Sequence, residues 1–178
     1  MNVNQQIAAA TGKLLFTDEI QSINKEAELL KNRGVDILIA LGHSGYSKDQ
    51  EIARNCPHID VVVGGHSHSL LWNGTRCLLR HQWETGPTNC WIESLKFIAG
   101  GVASTEEAHG PYPTMVRQQS GRNVPVVQAY AYGKYLGNLQ VVFDDDGEVV
   151  AAFGQPIVLD QNVPQGERIE AEWPHVLL

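Results

Sequence analysis

The chain has 178 residues, 43% of them hydrophobic and 19% charged, with a formal net charge of −7. That length fits one domain with a substantial core, and the composition is that of an ordinary soluble globular protein. With no Lys/Arg cluster to offset it, the negative charge argues against a nucleic-acid or general polyanion binder, while one small anionic substrate stays compatible if a metal supplies local positive charge. No stretch approaches transmembrane length, and residues 1–16 lack the basic start and long apolar run of a signal peptide. Cys56, Cys77 and Cys90 form neither a metal-type pair nor an even disulfide framework. Cys77 and Cys90 have the option of bridging, so the redox compartment stays open.

Residues 1–13 are small and polar without clear periodicity, and Leu14, Leu15 and Phe16 suggest the end of a strand. Asp18 followed by Gln21 is a capping pattern, after which Ile20, Ile23, Ala27 and Leu30 recur at helical spacing with Glu26, Glu28 and Lys31 outward. Gly34 is the expected left-handed cap. Val35 to Leu41 is a nearly continuous apolar run, predicting a strand covered on both faces. Ser47 and Gln50 form a second capping pattern, for a short helix to about Asn55 that Pro57 ends. Ile59 to Val63 is the next buried strand, making 35–63 a βαβ unit.

Residues 76–103 hold Cys77, Cys90, Trp83 and Trp91 without a clean period, apart from a weak apolar stretch from Trp91 to Ile98. Ser104 to Pro113 is rich in turn residues. Val124 to Tyr132 and Leu139 to Phe143 read as strands, and Asp144 to Gly147 is a strong hairpin turn. Val149 to Phe153 is the return strand, with Pro156 to Leu159 a further edge segment.

Both strands of the βαβ unit end in glycine followed by histidine: His43 after the first, His66 and His68 after the second. Open α/β sheets carry their sites at this carboxyl edge. Alternate residues of an extended segment face opposite ways, so His66 and His68 need not share one ion, and a Gly-Gly-His-x-His turn is able to offer imidazoles to two. Imidazole suits zinc, manganese and iron. Three histidines without a carboxylate are too few ligands for two metals. The competing account of His43 and His66 is a buried histidine satisfied by hydrogen bonds. His68 has a solvent-facing or supporting role as its alternative.

Ala40-Leu41-Gly42-His43-Ser44-Gly45, the run from Asp60 through Gly64-Gly65-His66-Ser67-His68, and the run from Val124 through Gly133-Lys134-Tyr135-Leu136-Gly137 together resemble the 5′-nucleotidase family. Animal ecto-5′-nucleotidases and secreted apyrases are the nearest in kind. The likeness covers roughly residues 12–75 and 104–170. It implies an α/β fold, part of a four-layer α/β/β/α metallophosphatase domain with mixed sheets and helices outside. It also implies two divalent metal ions, zinc foremost, with His43 and His66 on one and His68 toward the other. The implied reaction is hydrolysis of a nucleoside 5′-monophosphate such as AMP by a water activated at the metal pair. Apyrase-like hydrolysis of ATP or ADP is the alternative within the class. The resemblance further implies a nucleotide as partner, extracellular location, a membrane anchor only in full-length relatives, and homodimers among those relatives.

The departures from the family pattern are equally specific. An Asp-x-His motif, a metal-bridging aspartate and an Asn-His-Glu segment carrying the transition-state histidine are expected before residue 1, and a nucleoside-binding second domain after residue 171. Residues 1–75 and 104–171 therefore read as the C-terminal portion of the metal domain, 76–103 as an insertion and 172–178 as an atypical tail. A non-catalytic chain is the expectation for these residues alone. Asn73-Gly74-Thr75 is a glycosylation sequon, relevant if the protein is secreted. Asp60 reads as a loop or cap residue, and Ser44 and Ser67 as turn residues without a nucleophile context. Tyr130, Tyr132 and Tyr135 read as sheet packing, and His58, His81, His109 and His175 as surface residues.

Overall fold

A computed structural model describes residues 16–73, 106–161 and 163–164. Helix α1, Glu19–Asn32, begins where Asp18 Oδ1 accepts the Gln21 N–H at 2.9 Å. It ends at Arg33, with Gly34 in the left-handed region at φ 84°. Its apolar stripe buries Ala27 and lays Ile20, Ile23 and Leu30 against the sheet, as the 3.6-residue spacing requires.

Strands β1 (Ile39–Leu41) and β2 (Val61–Val63) are parallel and joined by helix α2, Tyr46–Asn55. Strands β3 (Thr114–Arg117) and β4 (Asn123–Val127) complete a mixed sheet in the order β1-β2-β4-β3, with β4 parallel to β2 and antiparallel to β3. The two helices cover one face of this sheet. Leu38, Val62, Val116, Val124 and Val126 meet Ala27, Ile52, Ala53 and Cys56 there. On the other face lies an antiparallel hairpin, β5 (Tyr135–Phe143) and β6 (Val149–Val158). A second cluster of Leu71, Tyr112 and Val127, with Leu139 from β5 packed on it, joins hairpin to sheet. The protein is thus α/β, a mixed four-stranded sheet with flanking helices and a hairpin layer behind it.

Several expectations are corrected. The predicted strand 35–41 is ordered as a strand only at its last three residues, and it is not covered on both faces. Ile39 and Leu41 are 60% and 82% exposed, because β1 is a sheet edge among the described residues and the hairpin packs on the β4 side. Leu38 and Ala40, on the alternate face, meet the helices. Helix α2 does not use the Ser47/Gln50 capping pattern. Gly45 is its N-cap, and the Tyr46 N–H donates instead to Ser67 Oγ at 3.0 Å, from the loop after β2. Strand β6 runs unbroken to Val158, absorbing the separate edge segment expected from Pro156. Strand β4 stops at Val127 rather than Tyr132, because Tyr130 and Tyr132 adopt φ 61° and 59°. Phe16 is irregular and exposed. Strand β3 has no counterpart among the expected elements.

Asp60 is no simple loop residue: it is fully buried, accepts the Leu38 N–H at 2.7 Å, and pairs with Arg122. Arg122 also contacts Glu148 and the Pro57 carbonyl, tying the sheet to the hairpin. The expected turn at Asp144 is present, with Asp144 Oδ1 accepting from the Asp146 and Glu148 N–H groups at 3.0 and 2.8 Å. The loose start 1–13, Leu14 and Leu15, the insertion 76–103 with its apolar stretch, the tail 172–178, His81, His175, Cys77 and Cys90 lie outside the described residues.

Candidate metal centre

Parallel pairing decides where the histidines go. Leu41 and Val63 are register partners, and the Gly42 N–H donates to the Val63 carbonyl at 2.9 Å, extending the ladder one residue past the strands. His43 and His66 leave the sheet from this shared edge. Their ring centroids lie 5.2 Å apart at an interplanar angle of 72°. Both are exposed, which removes the buried, internally satisfied histidine as an account of either.

The turn carrying His66 is built on close approach. A Cβ on Gly65 would stand 2.8 Å from His43 Nδ1, inside the closest separation that real side chains tolerate. The turn is also not extended: His66 and His68 sit at φ 75° and 50°, and the Ser67 N–H donates back to the Gly65 carbonyl at 3.0 Å. Left-handed backbone at two non-glycine residues persists only where the surroundings impose it. The two imidazoles therefore leave a left-handed turn rather than an extended strand, and their rings meet different partners. His68 lies edge-on to Tyr132, with ring centroids 5.3 Å apart. Tyr132 is 88% exposed, so it is not sheet packing.

What imposes the turn lies beneath it. Asp49, from the first turn of α2, is fully buried under Gly64, where a Cβ would land 1.8 Å from Asp49 Oδ2. Gln128, just past β4 and 2% exposed, donates from Nε2 to Asp49 Oδ2 at 3.2 Å and to the Gly65 carbonyl at 3.0 Å. Its Oε1 accepts the Ser69 N–H at 2.6 Å and the Ser67 hydroxyl at 3.1 Å. Burial pushes the Asp49 carboxyl up to about 6, against the lowering effect of the Gln128 hydrogen bond and with a smaller rise from the Glu19 charge. Among the described residues Asp49 Oδ1 has no hydrogen-bond partner. Neither residue stands in a motif that marks it in the sequence. Asp49 sits where a first-turn acid is ordinarily a solvated helix-end charge. A glutamine closing the apolar run 124–127 was the available signal for the other.

The donor set fits a metal in part. Two imidazoles held through nitrogen at about 2.0–2.1 Å on one tetrahedral ion place their ring centroids about 5 Å apart. The His43–His66 pair meets that spacing. Among the described residues no group of three His, Cys, Asp or Glu side chains converges, so His68 does not complete the pair. A cleft of about 490 Å³ opens beside the turn, with Ser44, Tyr46, Ser67, Ser69 and His109 in its walls. Ser44 Oγ donates to Glu19 and Ser67 Oγ is committed to the turn, so neither hydroxyl is poised as a nucleophile. The Asn73 side chain bonds the Tyr112 backbone in both directions, donating to its carbonyl and accepting its N–H.

No protein-family model matches the chain. Individual proteins do. Snake venom 5′-nucleotidase of Gloydius brevicauda is 43% identical over 159 residues, and human 5′-nucleotidase 39% over the same length; each match covers 89% of this chain and 23% of the relative. Among solved structures, the 5′-nucleotidase precursor of Thermus thermophilus is 31% identical with a TM-score of 0.59, over 81% of this chain and 23% of that one. The NAD nucleotidase of Haemophilus influenzae is 30% identical with a TM-score of 0.62, over 83% of this chain and 25% of that one. The chain therefore spans about a quarter of the length of the curated relatives it matches. Extended identity and shared architecture make it a homologue of the 5′-nucleotidase family.

Proposed function

We propose that this chain supplies part of a dinuclear metal site for hydrolysis of nucleoside 5′-monophosphates such as AMP. The carrying observation is the His43–His66 pair, whose spacing suits one shared ion. The homology to 5′-nucleotidases supports the substrate class. In the reaction the phosphorus–oxygen bond to the 5′ carbon's oxygen breaks, a water oxygen forms the new bond to phosphorus, and the 5′ oxygen leaves with a proton. Divalent ions bound here, zinc foremost, supply acidification of water and neutralisation of charge on the phosphate. His43 and His66 would hold one ion, and His68 would serve the other. The strand ends fix where the imidazoles stand, and the net negative surface leaves phosphate binding to the ions.

Among the described residues two imidazoles come together, fewer donors than a catalytic site requires, since such sites use three protein ligands and keep a position open. The isolated chain therefore binds metal without appreciable turnover. Segment 76–103 is an insertion in the domain, and the protein acts outside the cell, as the venom relatives do.

Two measurements test this. The purified chain is titrated with zinc and assayed for phosphate release from AMP and ADP, with and without chelator. Zinc binding with negligible turnover is expected; robust chelator-sensitive release would overturn the inactive-chain reading, with AMP or ADP selectivity then separating nucleotidase from apyrase. In parallel, residues 16–164 replace the matching segment of the Gloydius brevicauda enzyme. The chimera is expected to hydrolyse AMP and to lose that activity with His43→Ala or His66→Ala. Unchanged activity in both variants would sink the site assignment.

A further inference from the structure

Buried polar networks are stable only when most members find partners, and a satisfied one specifies a single local geometry. Gln128 makes four hydrogen bonds that all converge on one turn and the helix beneath it: to Asp49, to the Gly65 carbonyl, to the Ser69 N–H and to the Ser67 hydroxyl. Ser67 in turn accepts the Tyr46 N–H at the start of α2, so the loop after β2 is bonded to both neighbouring elements. Asp49 fills the space under Gly64 that any side chain there would need. Between these anchors the chain passes through left-handed His66 and His68, a conformation that side-chain-bearing residues adopt only under constraint.

We propose that Asp49 and Gln128 are positioning residues: a buried pair that clamps the 64–69 turn from below and thereby sets His66 against His43. This rests on the metal-site reading above, and it names what fixes that site's geometry. Without the clamp the left-handed turn relaxes, and the His66 imidazole no longer stands at ion-sharing distance from His43. Partners that orient metal-ligating histidines typically account for 10–100-fold in metal affinity.

The test compares Gln128→Leu with a matched control, Gln118→Leu. Gln118 is also buried, and its Nε2 donates to the Ala53 and Cys56 carbonyls at 2.9 and 3.0 Å, at the opposite end of α2. Both variants lose a buried amide, so a merely structural role predicts the same outcome for each. Two readouts are taken on the full chain: zinc affinity by competition with a chromophoric chelator, and the nuclear Overhauser effect between the His43 and His66 ring protons in metal-free protein. Gln128→Leu is expected to lose the ring contact and 10–100-fold in affinity, while Gln118→Leu keeps both. Gln128→Asn, which retains an amide but shortens its reach, is the second variant should the leucine form not fold, and is expected to lose the ring contact too. Retention of contact and affinity in the Gln128 variants, or equal loss in Gln118→Leu, overturns the proposal. Parent protein that binds no zinc overturns the metal reading alone, because the ring contact still decides whether the clamp positions His66.

Discussion

The His43 and His66 rings stand edge to face at 5.2 Å, each two or three residues past the end of its own parallel strand. If this pair shares one ion, each imidazole contributes comparably. His43→Ala and His66→Ala should each lower zinc affinity by about 100-fold or more, since a two-ligand site reduced to one is no longer a chelate. His68→Ala should leave that binding step within about threefold, because its ring lies against Tyr132 instead. Isothermal titration with zinc separates these outcomes, and equal losses in all three variants would place the histidines on one ion.

Gly64 and Gly65 should respond differently to the same small change. Gly65→Ala puts a Cβ 2.8 Å from His43 Nδ1, and the exposed ring is free to swing away. Folding is expected to survive, with zinc affinity down about tenfold as the ligand leaves its place. Gly64→Ala drives a Cβ to 1.8 Å from the fully buried Asp49 carboxylate, which has nowhere to go. That variant should lose about 1–3 kcal/mol or more of stability. Thermal unfolding alongside metal titration resolves the two patterns.

The Asp49 carboxyl also makes a pH prediction. Burial raises it from 3.8 to about 6 in the folded chain, so folding favours the protonated form. Its contribution to stability is complete below about pH 4, declines as pH rises through 6, and is level above that, the reverse of a salt-bridged carboxylate. Two pH units correspond to at most about 2–3 kcal/mol. Asp49→Asn should flatten the urea-unfolding stability profile between pH 4 and 7 relative to the parent, and a profile that keeps its slope would contradict the assignment.

Deletion of residues 76–103 should be tolerated. On either side of this segment the chain is already held together: the His109 N–H donates to the Leu70 carbonyl and the Trp72 N–H to the Gly110 carbonyl, both at 2.8 Å. Asn73 bonds both ways to the Tyr112 backbone. Because those contacts already close the chain on either side of the segment, the deleted form is expected to melt within about 5 °C of the parent, a shift worth about 1 kcal/mol. A collapse of cooperative unfolding would show that 76–103 belongs to the domain.

Much of this was legible one-dimensionally. Helix α1, its Asp18 cap and its Gly34 stop follow from spacing and turn chemistry, because they depend on neighbours within a few residues. The βαβ unit and its strand-end histidines follow from two apolar runs and the length between them, since parallel strands with a helical connection must present their carboxyl ends together. What required tertiary structure was every feature set by contact across the chain. The exposure of Ile39 and Leu41 depends on which side of the sheet the hairpin covers. The start of α2 is taken from Ser67, 21 residues away, rather than from its own Ser47. The left-handed torsions at His66 and His68 stand over Asp49 and Gln128, which lie 79 residues apart and hydrogen-bond to each other. Local sequence determined that imidazoles stand at one sheet edge; which of them meet was decided by a buried hydrogen-bond network that no local pattern encodes.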